Sequence, residues 1–323
     1  MTKIKFLFFL ALGIFIFHWV YKFFAGPESI KLILNAKYKI FYLVIAHIPT
    51  LYFDSLAWII LMKNKLSMKT AFIITWISQT SGKFIPSGNI TGEFVRFYLA
   101  RRSGQKFSEA SSTVLMDLFI ATFSLFLIGL AALIFIVFSL KSNLILNQFQ
   151  YLILAFSLIS LGTLFFLLII RKRVISKFLV ITNKIEFLSK KNIFNLLRLD
   201  ISLNKLSHRK WRLLNAVVLR LMGWIAGAFE IYVFLWVIGV DAKISDVIII
   251  ESVTAIIRSA AFFIPSAIGV QELAFVIVGE LVGYSSIVSF SVAIGRRLRE
   301  IMVGIPAIIT WIIIFRKQSN HFN

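Results

Sequence analysis

Phe84-Ile85-Pro86-Ser87, with Glu93 following, and Phe263-Ile264-Pro265-Ser266, with Glu272 following, are one phrase written twice. Each copy reads F-I-P-S-x5-E, each sits between apolar stretches, and each is followed by a glycine at the same further distance, Gly104 and Gly283. The copies are in register without a gap. A proline and a carboxylate seven residues apart inside apolar sequence do not recur through composition alone, so the pair marks an internal duplication.

The surroundings of the two copies set the class. With 59% hydrophobic residues, 34 Phe in 323 residues and a mean hydropathy of +0.90, the chain carries more apolar side chain than a soluble core can hide. It reads as a polytopic membrane protein. The 35 Lys and Arg against 14 Asp and Glu fit cytoplasmic loops facing anionic headgroups, rather than a nucleic-acid surface. The absence of cysteine excludes disulfides, thiol catalysis and thiolate metal sites. The four His lack metal-ligand spacing, so neither a metal nor a cofactor is expected.

Around the first copy the sequence is apolar from Met68 to Trp76, polar through Ser78-Gln79-Thr80-Ser81-Gly82-Lys83, then passes through the copy itself and on from Glu93 to Leu99 before Arg101-Arg102. Neither half reaches the roughly 20 helical residues that cross a bilayer core. The spacing predicts a re-entrant pair of short helices broken at Pro86, Gly88 and Gly92. The second copy predicts another, from Val247 to Ala261 and from Val270 to Val282, broken at Pro265 and Gly269. Broken backbone at membrane depth is tolerated only where protein or water satisfies the freed amides, so both breaks belong against other helices or along a cavity.

Six longer apolar runs surround these pairs: Phe6 to Phe24, Ile40 to Met62, Ser108 to Leu140, Tyr151 to Ile170, Leu213 to Val240 and Ile287 to Phe315. The expected fold is an all-α polytopic membrane protein of six full spans plus two re-entrant helix pairs. It forms a single membrane domain: a first span and connection over 1–37, repeat 1 over 38–140, a connecting span and basic segment over 141–210, repeat 2 over 211–315 and a tail over 316–323. Lys63, Lys65 and Lys69 before the first pair, and Arg101, Arg102 and Lys106 after it, place its ends in the cytoplasm. Asp241, Lys243 and Asp246 carry no positive excess, so the second pair opens outward. The duplication then lies in an inverted-topology repeat with both termini cytoplasmic, an architecture that supports alternating access. Between the repeats, the basic segment from 171 to 210 interleaves Phe178, Leu179, Phe187, Leu188, Phe194, Leu196 and Leu197, which predicts amphipathic helix on the anionic inner leaflet. His47 and Asp54 share a helix face in the second run and read as a polar stripe packed on neighbouring helices.

Charges inside the apolar runs carry the chemistry. Each costs about 2.5–3.5 kcal/mol at the bilayer centre, so it should face inward and pair. Glu251 and Arg258 lie on one face of the inbound half-helix, Glu272 opens the outbound one, and Arg296 and Glu300 are spaced as an i,i+4 pair with Arg299 beside them. The first repeat offers Glu93 with Arg96 a turn later, and Asp117. The repeat offset sets Gln79 against Arg258 and Asp117 against Arg296. Arginines and the free amides of half-helix starts suit an anionic headgroup better than a small ion. The carboxylates would hold those arginines in place or take up protons. No catalytic residue is expected; Arg258, Glu272, Glu251, Arg96, Glu93, Arg296, Arg299 and Asp117 are the candidate substrate-binding set, and interhelical salt bridging is the alternative role for each.

Arg258-Ser259-Ala260-Ala261-Phe262-Phe263-Ile264-Pro265, running into Gly269-Val270-Gln271-Glu272 and later Arg296-Arg297, resembles the transmembrane region of the lysylphosphatidylglycerol synthase and flippase family. Within it the chain looks closest to the stand-alone proteins associated with hopanoid biosynthesis. The resemblance implies a flippase moving an anionic or polar-headgroup lipid in a bacterial inner membrane. The full-length synthases add a soluble aminoacyl-transferase domain; no such domain follows Lys317, so no enzyme activity is expected. A scaffold for a lipid-synthesis complex is the alternative, and a lipid-modifying enzyme lacks the interfacial His, Asp or Ser cluster it would need. Homo-oligomerisation stays open.

Overall fold

The computed structural model describes residues 3–24, 26–64, 66–84, 90–139, 190–261 and 264–317, with parts of 157–177. Every regular element among them is helical. In chain order these are α1 (Lys3–Phe23), α2 (Gly26–Asn35), a 3-10 turn (Lys37–Phe41) running into α3 (Tyr42–Leu61), α4 (Met68–Phe84), α5 (Ile90–Arg102) and α6 (Phe107–Ser139). Then follow α7 (Lys190–Ser207), α8 (Lys210–Val237), α9 (Ile244–Ala260), a 3-10 turn (Pro265–Ala267), α10 (Val270–Leu281) and α11 (Ser286–Lys317).

Three of these helices are long and apolar enough to cross a membrane, over Lys37–Leu61, Phe107–Ile136 and Lys210–Val237. A fourth span results if α1 and α2, bent by 81° at their junction, count as one. The last expected span, α11, has the length, but Arg296, Arg297, Arg299 and Glu300 make its first half polar. The run from Tyr151 to Ile170 falls largely outside the described residues, as do Pro86, Gly88 and the basic segment over 178–189. Phenylalanine, leucine and isoleucine stand exposed along these helices, at Phe15, Ile45, Ile225 and Ile309 among others, which suits lipid as the solvent.

The duplication is visible in the elements. The offset of 179 residues from Pro86 to Pro265 carries the end of α5 onto the end of α10 and the start of α6 onto the start of α11. Both short helices end the same way. The Gln105 N–H donates to the Ala100 carbonyl at 3.1 Å, and Tyr284 N–H to that of Gly279 at 2.9 Å. Gly104 and Gly283 sit between them at φ 89° and 100°, the left-handed position that such a helix ending assigns to glycine.

Two compact units divide the chain, one of residues 1–52, 75–95 and 222–323, the other of 53–74 and 96–221. In the first, α10 packs between α9 and α11, α1 lies on α10 and on the turn at Pro265–Ala267, and α2 lies on α11. Val20, Val276 and Phe290 form a small core there.

In the second unit α6 packs against α7, burying Leu199, Leu203 and Leu206 with Leu61, Met116, Ile120, Ile170 and Ala216. This changes the reading of the basic segment. Its C-terminal part, α7, lays its leucine stripe on protein, with Leu196 of the expected leaflet-facing set packed on the same core. Removing each such leucine from water is worth roughly 1.5–3 kcal/mol. Buried Asp200 secures the arrangement by accepting from the Ser176 N–H at 3.1 Å. Phe194 stays exposed with the Arg198 guanidinium 4.0 Å over its ring.

Candidate functional site

The site forms where α9 gives way to α10. Ile264 is extended, Pro265 fixes the first position of the turn, and Ser266 and Ala267 both adopt left-handed backbone, at φ 52° and 47°. Such conformations cost a non-glycine residue about 1–2 kcal/mol, so the surroundings must hold them. The Ser266 hydroxyl donates to the Lys83 carbonyl at 2.5 Å, and Arg297 Nη2 donates to the Ser266 carbonyl at 3.1 Å. Gly269, at φ 78°, caps α10, and its N–H donates to Glu272 Oε2 at 2.6 Å. That carboxylate sits in the first helical turn, where the exposed amides favour negative charge. Its other oxygen accepts from Arg297 Nε at 2.6 Å. Helix α1 closes over the break so tightly that a Cβ on Gly269 would stand 2.4 Å from the Gly13 carbonyl oxygen.

Helix α4 supplies the facing wall. The Trp76 indole N–H donates to the Val303 carbonyl at 3.0 Å, and the Phe84 ring lies where a Cβ on Gly304 would meet it at 2.4 Å. This contact brings Lys83 Nζ to 3.8 Å from Glu300 Oε1. A cavity of about 100 Å³ opens between these walls, lined by Lys83, Arg258, Ser266, Gln271, Arg297 and Glu300 among others. Three cations thus face one carboxylate. Arg297 is engaged with Glu272 and, at 3.2 Å, with Glu300. Arg258 makes no ion pair among the described residues; Nη1 donates to Gln271 Oε1 at 3.3 Å. Gln271 is 1% exposed, and its Nε2 has no hydrogen-bond partner among the described residues. Donors converge on this space with cationic charge in excess, the arrangement that receives an anionic oxygen.

The expected i,i+4 pair of Arg296 with Glu300 does not form. Arg296 turns to buried Glu251 and grips both its oxygens, one of them at 2.8 Å, while Glu300 meets Arg297 and Lys83. Successive helical residues point about 100° apart, so Arg296 faces α9 and Arg297 faces the break. Glu251, placed on one face with Arg258 by the seven-residue spacing, is thereby matched by Arg296, and Arg258 is left to the cavity. Arg299 faces a third way, its Nε donating to Glu230 Oε1 at 2.7 Å, and Glu230 Oε2 is 2.9 Å from His47 Nδ1.

In the second unit Arg96 and Asp117 meet at 2.5 Å. Arg220 binds Asp117 as well, and Asp54 at 2.7 Å, which makes a buried group of two arginines and two aspartates. Arg96 also lies 5.5 Å over the Trp58 ring. Glu93, which with Gly92 and Ser78 belongs to the first unit, occupies the first turn of α5. Gly92 is not a helix break. It lies inside α5, where a Cβ would come 2.7 Å from the Ser78 carbonyl oxygen, and the Ser78 hydroxyl donates to its carbonyl at 2.8 Å. The glycine is there so that α5 can approach α4.

The sequence reading gives Lys83, Glu230 and Arg220 no functional role, quotes Gln271 and Arg297 only as part of the family resemblance, and reads His47 only as part of a polar stripe packed on neighbouring helices, where it does meet Glu230. Phe84, Glu272 and Arg296, the neighbours of Lys83, Gln271 and Arg297, are singled out, but adjacency along a helix does not tell which face turns inward. Arg220 sits within an apolar run and drew no notice.

Long apolar helices joined to broken ones, with arginines and carboxylates buried among them, define a multi-pass membrane protein with a polar site inside its helical body. The family model for the lysylphosphatidylglycerol synthase TM region matches residues 6–307, and the chain belongs to that family, a family of membrane proteins involved in lipid handling. No curated protein and no solved structure matches the chain.

Proposed function

We propose that the protein is a lipid flippase that carries an anionic or polar headgroup through the cavity beside the Pro265–Gly269 break while the acyl chains stay in the bilayer. The observation that carries this reading is Arg258, a cation without an ion-pair partner among the described residues, turned to a cavity that Lys83 and Arg297 also line. The cavity has room for a phosphate group and not for an acyl chain. Arg258 and Gln271 Nε2 would take the phosphate oxygens, and Arg297, locked by Glu272, would keep its wall positively charged.

The transport reading includes an inverted-topology repeat of six spans and two re-entrant pairs in a bacterial inner membrane, with both termini cytoplasmic. It rests on the loop charges, and the matching helix ends at Gly104 and Gly283 support the duplication itself. In such a repeat one half rocks against the other around a fixed site. The protein acts in this reading without covalent chemistry.

The test uses purified protein in phosphatidylcholine vesicles carrying a trace of fluorescent phosphatidylglycerol, with inner-leaflet probe read by its protection from an impermeant reductant. Arg258→Ala is expected to slow translocation at least about tenfold, the loss of one charge-assisted contact, while the unfolding transition stays in place. Unchanged translocation would remove Arg258 from the path. A scaffold in a lipid-synthesis complex is the second reading, favoured by the mutual pairing of Arg96, Asp117, Arg220 and Asp54, which braces the helices that carry them. It expects no translocation by the wild-type protein.

A further inference from the structure

Next to the headgroup cavity lies a smaller one of about 10 Å³, the room of a single water molecule. Lys83 and Glu300 line both cavities, and His47, Gln79 and Arg299 complete the polar part of the smaller one. His47 is 5% exposed, on α3, and hydrogen-bonded to Glu230 of α8. Arg299 of α11 holds the other oxygen of that carboxylate through Nε, yet its Nη1 and Nη2 have no hydrogen-bond partner among the described residues, although the side chain is 1% exposed. Buried guanidinium donors without partners are costly, and here they belong to a side chain that lines a space of molecular size.

The charged groups around His47 are Glu230 from α8, Arg299 and Glu300 from α11, and Lys83 from α4. Two carboxylates balance two cations. Protonating the imidazole gives this set one further positive charge, and Lys83 is the other group of the set that gains or loses a proton. A histidine that served only to brace Glu230 would need neither the cavity nor the unpaired guanidinium donors beside it.

We infer that His47 is a proton-binding site coupled to the anion in the neighbouring cavity, so that a proton travels with the headgroup. The travelling part rests on the flippase reading; the coupled binding does not. An anion beside Lys83 and Glu300 adds negative charge near the imidazole and favours the imidazolium. By linkage, protonation of His47 tightens anion binding by the same factor. Affinity is then high on the acid side, falls as pH rises through the imidazole titration, and is flat beyond it.

Calorimetry on the full chain in detergent tests this with glycerophosphoglycerol, a soluble phosphodiester that keeps one negative charge throughout the range. Titrations in two buffers of different ionisation heat count the protons taken up per anion bound. The wild type is expected to take up a fraction of a proton and to lose about tenfold in affinity between about pH 4 and about pH 6. His47→Gln, which keeps a hydrogen-bonding group toward Glu230, is expected to bind the anion with no proton uptake and a flat pH profile. Absence of binding or of proton uptake in the wild type overturns the inference, as does the same uptake in His47→Gln. Should that variant fail to fold, Glu230→Gln serves instead: loss of the facing carboxylate moves the uptake to lower pH, and an unmoved profile counts against His47. Proton uptake without lipid translocation retires the flippase reading and leaves the proton site standing, and translocation by a wild type that takes up no proton does the reverse.

Discussion

Arg258 and Arg296 are two arginines of the same broken-helix region with opposite circumstances. Arg296 is bound bidentately to Glu251, lies 5.8 Å from the Phe275 ring centre, and has its carboxylate partner 2% exposed. Glu251→Gln leaves that guanidinium buried without its counter-charge, and the expected loss is about 3–5 kcal/mol of stability. The paired change Glu251→Leu with Arg296→Met removes both charges and is expected to unfold much closer to the wild type. Thermal unfolding of the two variants in one detergent checks this, and equal losses would mean the ion pair is not what stabilises the region. Arg258→Gln should leave the unfolding temperature nearly unchanged, because no carboxylate depends on it for an ion pair. Both arginines could be read from the sequence as candidates, since a charge inside an apolar run must have a reason to be there. Their division of labour could not. It depends on a rotation of about 100° per residue that sends Arg296, Arg297 and Arg299 to three different carboxylates, Glu251, Glu272 and Glu230.

Helix ends and breaks were more legible, because proline and glycine act locally. The 179-residue offset read from Pro86 and Pro265 carries through to the ends of α5 and α10. The glycines nevertheless do different jobs. Gly104 and Gly283 have open space where a Cβ would stand and need only a positive φ, so Gly283→Ala should cost about 1 kcal/mol. Gly269 combines φ 78° with a Cβ position 2.4 Å from the Gly13 carbonyl oxygen and 2.7 Å from Ile16 Cβ, and backbone cannot give way as a side chain can. Gly269→Ala is therefore expected to cost at least about 3 kcal/mol, with α1 displaced from the break. Urea or thermal unfolding of the two alanine variants side by side checks the contrast, and a mild Gly269→Ala would mean that α1 packs there loosely. What local chemistry did not reveal was contact between distant segments. The bend of 81° between α1 and α2 and the seating of α7's leucines on α6 both depend on surfaces that the linear pattern does not name.

Charge asymmetry is the one property of the chain that speaks to orientation, with 35 Lys and Arg against 14 Asp and Glu. Basic loops flank the first broken pair and none flanks the second, and on the positive-inside bias the transport reading expects the two pairs to open to opposite sides. The opposite outcome has its own physical reason: loop charge biases insertion without dictating it, and a helix bent as sharply as α1 and α2 could change the count of crossings. The chain contains no cysteine, so a single introduced thiol reports its own side without background. Asn64 and Ser285 are exposed, uncharged positions in the connections before α4 and before α11, and replacing either leaves the loop charges untouched. An impermeant maleimide applied to intact cells should label Ser285→Cys and spare Asn64→Cys, and inside-out vesicles should show the reverse. Labelling of both from one side would put the two broken pairs in parallel. A parallel pair would make the duplicated phrase two entrances on one face, and rocking between inward-open and outward-open forms would lose its structural basis, whatever Arg258 binds.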